Sequence, residues 1–257
     1  MRNRRSFYTL CTKEVFRFLN VPLQTVWAPL MTSVLFLSVF TLALRRADLT
    51  IETIPFAAFL ACGLLSMSIM QNAFANSSSS IMHSKVLGGL SDVLMAPLSP
   101  YEIATAWIFG GVARGLFVGI INSVVLVPVI AFYYDLTVNV WVLAYYAVMA
   151  SIMMANFGLI AGLYAQKFDQ MASISTFVIM PATFLSGTFY SVRDLPASFR
   201  LFVDANPLHY AIDGIRYGLI GYHDSNLVIG ASVIGISALS ATVLAFILVV
   251  RGWRIIP

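Results

Sequence analysis

Residues 84–102 read SKVLGGLSDVLMAPLSPYE, a polar and turn-rich interruption between two long apolar runs. Drawn as a helix, the segment gathers its apolar side chains on one face, at amphipathic spacing: Val86, Leu87, Leu90, Val93 and Leu94. Pro97 and Pro100 then end the helix before the next apolar run begins. Such a helix lies flat at the membrane surface or against a partner that docks there. A solvated connecting loop is the alternative.

The composition places the chain in a membrane. Of its 257 residues, 60% are hydrophobic and only 10% are charged, and the mean hydropathy is +0.87, whereas a soluble domain carries about 25% charged residues. The net charge of +4 is accompanied by no basic cluster interleaved with aromatic residues, so nucleic acid is not expected as a partner. Cys11 and Cys62 form neither a disulfide framework nor a metal-ligand spacing.

Apolar runs near the ~20 residues needed to cross a bilayer predict an all-α integral membrane protein with six transmembrane helices. The predicted spans cover residues 26–44, 55–75, 103–132, 140–164, 173–190 and 227–250. The polar residues 76–80 are interpreted as the exit from the second span, and the charged residues within 45–52 as the first external connection. The fifth run is interrupted by Pro181, Ser186 and Gly187.

Residues 6–22 predict an N-terminal interfacial helix that ends at Pro22. Three arginines precede it, and a basic amphipathic helix of this kind typically lies in the headgroup region. The predicted apolar face consists of Phe7, Cys11, Val15, Phe18 and Leu19.

The distribution of basic residues predicts the orientation, because cytoplasmic loops carry an excess of lysine and arginine. With both termini in the cytoplasm, nine basic residues face inward and five face outward, and Arg114 lies within a span. An even number of spans agrees with this arrangement. Residues 76–102 are then cytoplasmic, and residues 188–226 are external.

Residues 191–226 are predicted to form an outer re-entrant region with short helices. Asn206 is a favourable helix N-cap and Pro207 suits the first helical position. Asp213 and Arg216 are i, i+3 neighbours that are expected to pair. The segment is too short and too charged to cross the membrane, so it is expected to lie at the outer mouth of the bundle. These four residues form the predicted outer gate.

Four further side chains are candidates for a substrate path: Arg114, Phe184, Phe189 and Tyr190. A charge inside a span usually faces a partner or a wet path, but Arg114 could instead extend to the cytoplasmic surface. The aromatic residues could line an apolar exit, with ordinary packing as the alternative. Gly111, Gly115 and Gly119 recur every four residues, which favours close helix packing.

Three motifs carry a family resemblance: Asn206-Pro207 through Asp213 to Arg216, Ser186-Gly187 to Pro196, and Gly89-Leu90 to Pro97-Leu98-Ser99. With them the chain resembles, over almost its whole length, the permease subunits of type-2 ABC exporters. That family includes nodulation-factor, antibiotic-resistance and O-antigen export permeases. The resemblance implies that residues 84–98 form a cytoplasmic coupling helix seated in a groove of a separate ATPase subunit. The contact would involve Lys85, Gly88, Gly89, Leu90, Asp92 and Pro97.

The resemblance also implies the partners and the activity. Two permease copies, expected as a homodimer in the inner (plasma) membrane and surrounded by lipid, would move an amphipathic or lipid-linked substrate outward. The substrate would be a glycan, a drug or a lipid. No lysine of the chain precedes Ser or Thr, so a Gly-rich phosphate loop is missing from the sequence. The chain is therefore expected to hold no cofactor, and ATP and Mg²⁺ are expected on the partner ATPase.

Other classes of protein are less well supported by the sequence. An ion-coupled secondary transporter of a small hydrophobic solute would place carboxylates within its spans and show repeated halves, and neither pattern is found. An enzyme would need a nucleophile motif or a polar catalytic cluster at membrane depth. The three histidines are scattered singly, so no metal site is expected.

Overall fold

The computed structural model describes residues 4–44, 50–51 and 53–252, which are almost entirely helical. The strands Thr50–Ile51 and Ile54–Pro55 pair antiparallel. The rest of the first connection, predicted to be external, lies outside the described residues. So do Arg2 and Arg254, which contributed to the predicted charge asymmetry.

Eleven α-helices follow one another along the described chain. They are α1 (Arg4–Leu19), α2 (Ala28–Leu44), α3 (Phe56–Val86), α4 (Leu90–Met95), α5 (Pro100–Tyr133), α6 (Val140–Tyr164), α7 (Phe168–Ile174), α8 (Met180–Thr183), α9 (Ala197–Asp204), α10 (Pro207–Ile220) and α11 (Leu227–Val250). π-Helical turns at Leu23–Trp27, Ser175–Ile179 and Phe184–Thr188 extend α2 and flank α8, and Val192–Asp194 is a 3₁₀ turn.

Six helical runs among the described residues are long and apolar enough to cross a membrane. They are Leu23–Ala43, Phe56–Val86, Pro100–Tyr133, Val140–Tyr164, Phe168–Thr188 and Leu227–Val250. The prediction of a mostly helical chain with six candidate membrane-spanning helices is confirmed.

Residues 76–80, interpreted as the exit from the second span, are helical, because α3 continues unbroken to Val86. Their place as the exit from the membrane stays a prediction. The polar side chains in this part are buried and find acceptors inside the bundle. Ser78 Oγ donates to the carbonyl oxygen of Phe74 at 2.8 Å, and Ser77 Oγ donates to that of Trp107 at 3.2 Å. Because these hydroxyls are satisfied, they do not need water and do not end the helix.

The fifth span is broken at one of the two predicted places. Ser186 and Gly187 leave helical geometry, and Gly187 has a φ of +87°, a left-handed conformation that favours glycine. Pro181 does not interrupt the run, because it lies in the first turn of α8, directly after a π-helical stretch. The run also begins earlier than predicted, at Phe168.

Helix α3 is the core of the bundle. In its most apolar stretch, 89% of the residues are buried, compared with 11% in the first span. The glycines of α5 explain part of this burial, because a Cβ at Gly115 would come within 2.9 Å of the carbonyl oxygen of Ile69 and one at Gly111 would overlap Ser77 Oγ. On the other side, a Cβ at Gly158 of α6 would overlap the carbonyl oxygen of Phe74. The predicted packing role of the α5 glycines is confirmed.

Candidate functional site

The segment predicted as one coupling helix, residues 84–98, is divided into two parts. Helix α3 runs through Val86, the chain turns at Gly88 with a φ of +79°, and the six-residue α4 follows. The prediction of a continuous helix is wrong, because a glycine in the left-handed region ends α3. Leu90 and Val93 consequently point inward and pack in a cluster with Leu10 and Trp107.

Four apolar side chains around this turn stay exposed, and we name them the α4 patch. Their exposed fractions are 47% for Val86, 75% for Leu87, 42% for Leu94 and 85% for Met95. A Cβ added at Gly88 or Gly89 would meet nothing within 4 Å, and Asp92 and Pro97 are exposed beside them. The backbone at the turn is therefore open to a partner.

Lys85 has a structural role within the chain. Its Nζ donates to the carbonyl oxygens of Gly162, Leu163 and Ala165 at 3.0, 2.6 and 3.3 Å. These carbonyl groups lie at the C-terminal end of α6, where they have no intrahelical partner and where the helix dipole favours a cation. Lys85 thus fixes the end of α3 to the end of α6.

The N-terminal helix lies beside the α4 segment. An open groove of about 390 Å³ separates them, with Arg5 and Lys13 of α1 on one side and Asp92 and Val93 on the other. The buried face of α1 is formed by Leu10, Glu14 and Phe18, whereas Leu19, predicted on that face, is 39% exposed.

Glu14 was not identified from the sequence. It is 1% exposed, and its Oε2 accepts from Ser80 Oγ at 2.7 Å and from Arg17 Nε at 3.3 Å. Arg17 also donates to Ser79 Oγ at 3.1 Å and to Asn76 Oδ1 at 2.9 Å. The available signal was the position of Glu14, one turn before Phe18 on the apolar side of α1.

Helix α10 begins as predicted. The side chain of Asn206 caps it by accepting from the N–H of Leu208 at 3.1 Å, and Pro207 occupies the first turn. The helix is buried, and Gly214 allows the ring of Tyr146 from α6 to pack against its backbone.

The N-cap of α10 and two side chains within the helix bind the break in the fifth span. Asn206 Nδ2 donates to Ser186 Oγ at 2.9 Å, and His209 Nδ1 lies 3.2 Å from the carbonyl oxygen of Ser186. Arg216 donates to the carbonyl oxygen of Gly187 at 2.7 Å. The polar groups exposed by the break are thus satisfied by another helix.

The predicted pairing of Asp213 with Arg216 is wrong. Asp213 accepts from the N–H of Asp224 at 2.7 Å and from the N–H and Oγ of Ser225 at 2.9 and 2.6 Å. Arg216 lies 3.8 Å from the carboxylate of Asp224 and 3.6 Å above the ring of Phe59. The chain turns back at Gly221 after α10, so each charge finds its partner in the returning segment.

Asp224 is the second residue that the sequence did not reveal. Besides Arg216, its carboxylate accepts from Ser191 Oγ at 2.6 Å, from the N–H of Val192 at 3.2 Å and from Tyr222 Oη at 2.8 Å. Its carboxylate thus joins the segment after the broken span to the segment after α10. The signal in the sequence was Gly221, which is typical of a helix end that reverses the chain.

The aromatic candidates pack within the chain. The rings of Phe184 and Phe189 lie 5.2 Å apart, and both contact Phe36 of α2, at centroid distances of 6.2 and 5.8 Å. Tyr190 Oη donates to the carbonyl oxygen of Leu185. Their part in a substrate path stays a prediction.

Arg114 is buried in α5, with 7% of its surface exposed. It makes no hydrogen bond or ion pair with any residue that the structure describes, and its Nε is buried without a partner. On the same side of α5, Gly110 packs against Glu14 and Phe117 packs against Phe18 at 5.8 Å. Arg114 therefore lies beneath α1.

Comparisons with known proteins agree with this architecture. Residues 5–220 match the family model described as ABC-2 type transporter. Inner membrane transport permease YadH of Escherichia coli (strain K12) is 31% identical over 245 residues, which are 95% of this chain and 94% of that protein, and the Shigella flexneri protein of the same name gives the same figures. Nodulation protein J of Rhizobium leguminosarum bv. viciae is 31% identical over 80 residues, 31% of each chain. The chain therefore belongs to the ABC-2 type transporter family, in which it is a transmembrane permease subunit and not the ATPase.

Proposed function

We propose that this permease forms the membrane path of an ATP-driven exporter for an amphipathic or lipid-linked substrate, which would be a glycan, a drug or a lipid. Membership of the family implies a partner ATPase subunit. ATP and Mg²⁺ bind to that subunit in this proposal, and the permease converts its movement into passage across the inner membrane.

The ATPase docks at the α4 patch in this proposal. The supporting observation is the combination of exposed Leu87 and Met95 with the uncovered backbone of Gly88 and Gly89. Apolar side chains flanking bare backbone suit insertion into a groove of another protein. Leu90 contributes by anchoring the segment to the bundle, since its side chain points inward.

The test is affinity purification of the tagged permease from the membranes of its own organism. Mass spectrometry then searches for a copurifying subunit with a Gly-x-x-x-x-Gly-Lys-Ser/Thr phosphate loop. Gly89→Arg and Leu87→Glu are expected to remove that subunit and leave the permease in the membrane, because neither position is packed within the chain. Gln166→Arg, an exposed position near the end of α6, is the matched control. Retention of the ATPase by both α4 variants would show that docking occurs elsewhere.

The proposed assembly contains two permease copies with both termini in the cytoplasm. The excess of basic residues at the α1 and α4 end supports the orientation. The low burial of the first span leaves apolar surface for lipid or for a second copy. Native mass spectrometry of the purified permease tests the pairing, and a purely monomeric species would contradict it.

The outer segment acts as the exit gate in this proposal. Asn206 and Arg216 bind the break at Ser186 and Gly187, Pro207 starts the helix that carries them, and Asp213 fixes that helix to the following loop. Substrate would leave beside Phe184, Phe189 and Tyr190, at the broken end of the fifth span. Substitutions at Asp213 are expected to uncouple ATP hydrolysis from export once a substrate is known.

A further inference from the structure

A cluster of buried and partly buried polar side chains lies where α1 crosses α3 and α5. Its members are Glu14 and Arg17 of α1, Asn76 and Ser80 of α3, and Arg114 of α5. Glu14, Asn76 and Ser80 are each at most 2% exposed, and Arg114 is 7% exposed. No part of the proposed docking or gating uses this cluster.

The charges of the cluster do not balance. Glu14 carries one negative charge, and its Oε2 is bound by Arg17 and Ser80. Arg114 adds a second guanidinium on the same side of α5 as Gly110, which packs against Glu14. A buried charge without a counter-ion is costly, so the described part of the chain leaves one positive charge uncompensated.

Two buried donors point to what is missing. Arg114 Nε and Asn76 Nδ2 both lack a hydrogen-bond partner. The two donors lie in the same region. A Cβ at Gly110 would lie 3.0 Å from Asn76 Nδ2, and Arg114 follows Gly110 by one helical turn on the same face of α5. Both orphan groups are donors and the local charge is positive. Water would satisfy the donors but leave the charge, whereas an anion satisfies both.

We propose that Arg114, together with Arg17 and Asn76, binds an anionic phosphate group, carried by a membrane lipid or free in solution. Arginine is suited to phosphate because its planar guanidinium offers several donors in a fixed geometry. Arg17 lies at the edge of the cluster beside α1, with 26% of its side chain exposed, whereas Arg114 Nε and Asn76 Nδ2 are buried, so an anion would enter from the Arg17 side. Since α1 is an amphipathic helix with basic residues on its outer side, it places the site at the level of lipid headgroups. This inference requires neither transport nor the ATPase.

The test compares the purified permease with Arg114→Gln in a zwitterionic detergent. Thermal unfolding and native mass spectrometry are recorded during titration with phosphatidylglycerol, with phosphatidylcholine and with inorganic phosphate. The wild type is expected to bind phosphatidylglycerol about tenfold more tightly than the variant, since a charge-assisted hydrogen bond is lost. Arg251→Gln, which removes an exposed arginine at the end of α11, is expected to bind as the wild type does.

Each outcome decides the inference. Without added anion, Arg114→Gln is expected to unfold at or above the wild-type temperature, because it removes an unpaired charge. A purely structural arginine would instead lower that temperature. Stabilisation by inorganic phosphate that depends on Arg114 would assign the site to a free anion, and dependence on phosphatidylglycerol alone would assign it to a lipid. Equal binding of all probes by wild type and variant would overturn the proposal, and Arg114→Met replaces Arg114→Gln if the latter does not fold.

Discussion

Replacing Asp213 tests how residues 191–226 are held together. The Asp213 carboxylate accepts three hydrogen bonds from Asp224 and Ser225 and is 1% exposed. In Asp213→Asn the side-chain oxygen can keep the two bonds from Ser225, but the amide nitrogen then faces the N–H of Asp224, so one bond is lost and the other two no longer go to a charged acceptor. With about 1.5 kcal/mol for the lost bond and about half of that for each weakened one, the loss is about 3 kcal/mol. For a chain of this size that corresponds to a decrease in Tm of roughly 6–12 °C.

The assay is thermal unfolding of the detergent-purified permease, followed by tryptophan fluorescence. Asp204→Asn is the matched control, because Asp204 is exposed on the same segment and its carboxylate makes no hydrogen bond to any described residue. The exchange Asp213→Arg with Arg216→Asp is expected to be as damaging as the single change, since the two residues have separate partners. Recovery of wild-type stability by the exchange, or equal Tm for Asp213→Asn and Asp204→Asn, would refute this account.

Three further outcomes are expected. In a variant that lacks Cys11 and Cys62, single cysteines introduced at the exposed positions Ser91 and Ser198 should be labelled from opposite faces of sealed vesicles. Labelling of both from one face would contradict six spans. Gly158→Leu should prevent accumulation of folded permease, because the Phe74 carbonyl occupies the space that a Cβ at position 158 would need. The control variant Gly89→Leu should accumulate normally, because that position is open. Immunoblotting of the detergent-soluble fraction measures both variants. Burial, and next the charge of Glu14, raises the pKa of the Cys11 thiol. Cys11 should therefore react with maleimide at pH 7 more slowly than the exposed thiol that Ser91→Cys introduces. Equal reaction rates would contradict the burial of Cys11.

The sequence predicted best where an element depends on local pattern. The helical bounds of α6 and α11 coincide with the apolar runs 140–164 and 227–250, and the Asn206 cap was read from two adjacent residues. The hydropathy pattern did not predict that helix α3 continues past residue 75. The hydroxyl groups of Ser77 and Ser80 donate to acceptors that lie 30 and 66 residues away along the chain, which no local pattern shows. The same limit explains Asp213 and Arg216. Their sequence spacing allowed a pair, but the chain reversal at Gly221 supplied closer partners that no local pattern shows.

The length of α3 has a mechanical consequence for the proposed exporter. Phe59 near one end of this helix lies under Arg216, and Val86 at the other end belongs to the α4 patch. The 27 residue steps from Phe59 to Val86 (86 − 59) correspond to about 40 Å of uninterrupted helix. Lys85 also ties this end to α6. If the ATPase docks at the α4 patch as proposed, its movement would pass along one stiff helix to the proposed exit segment, and no loop would have to transmit it.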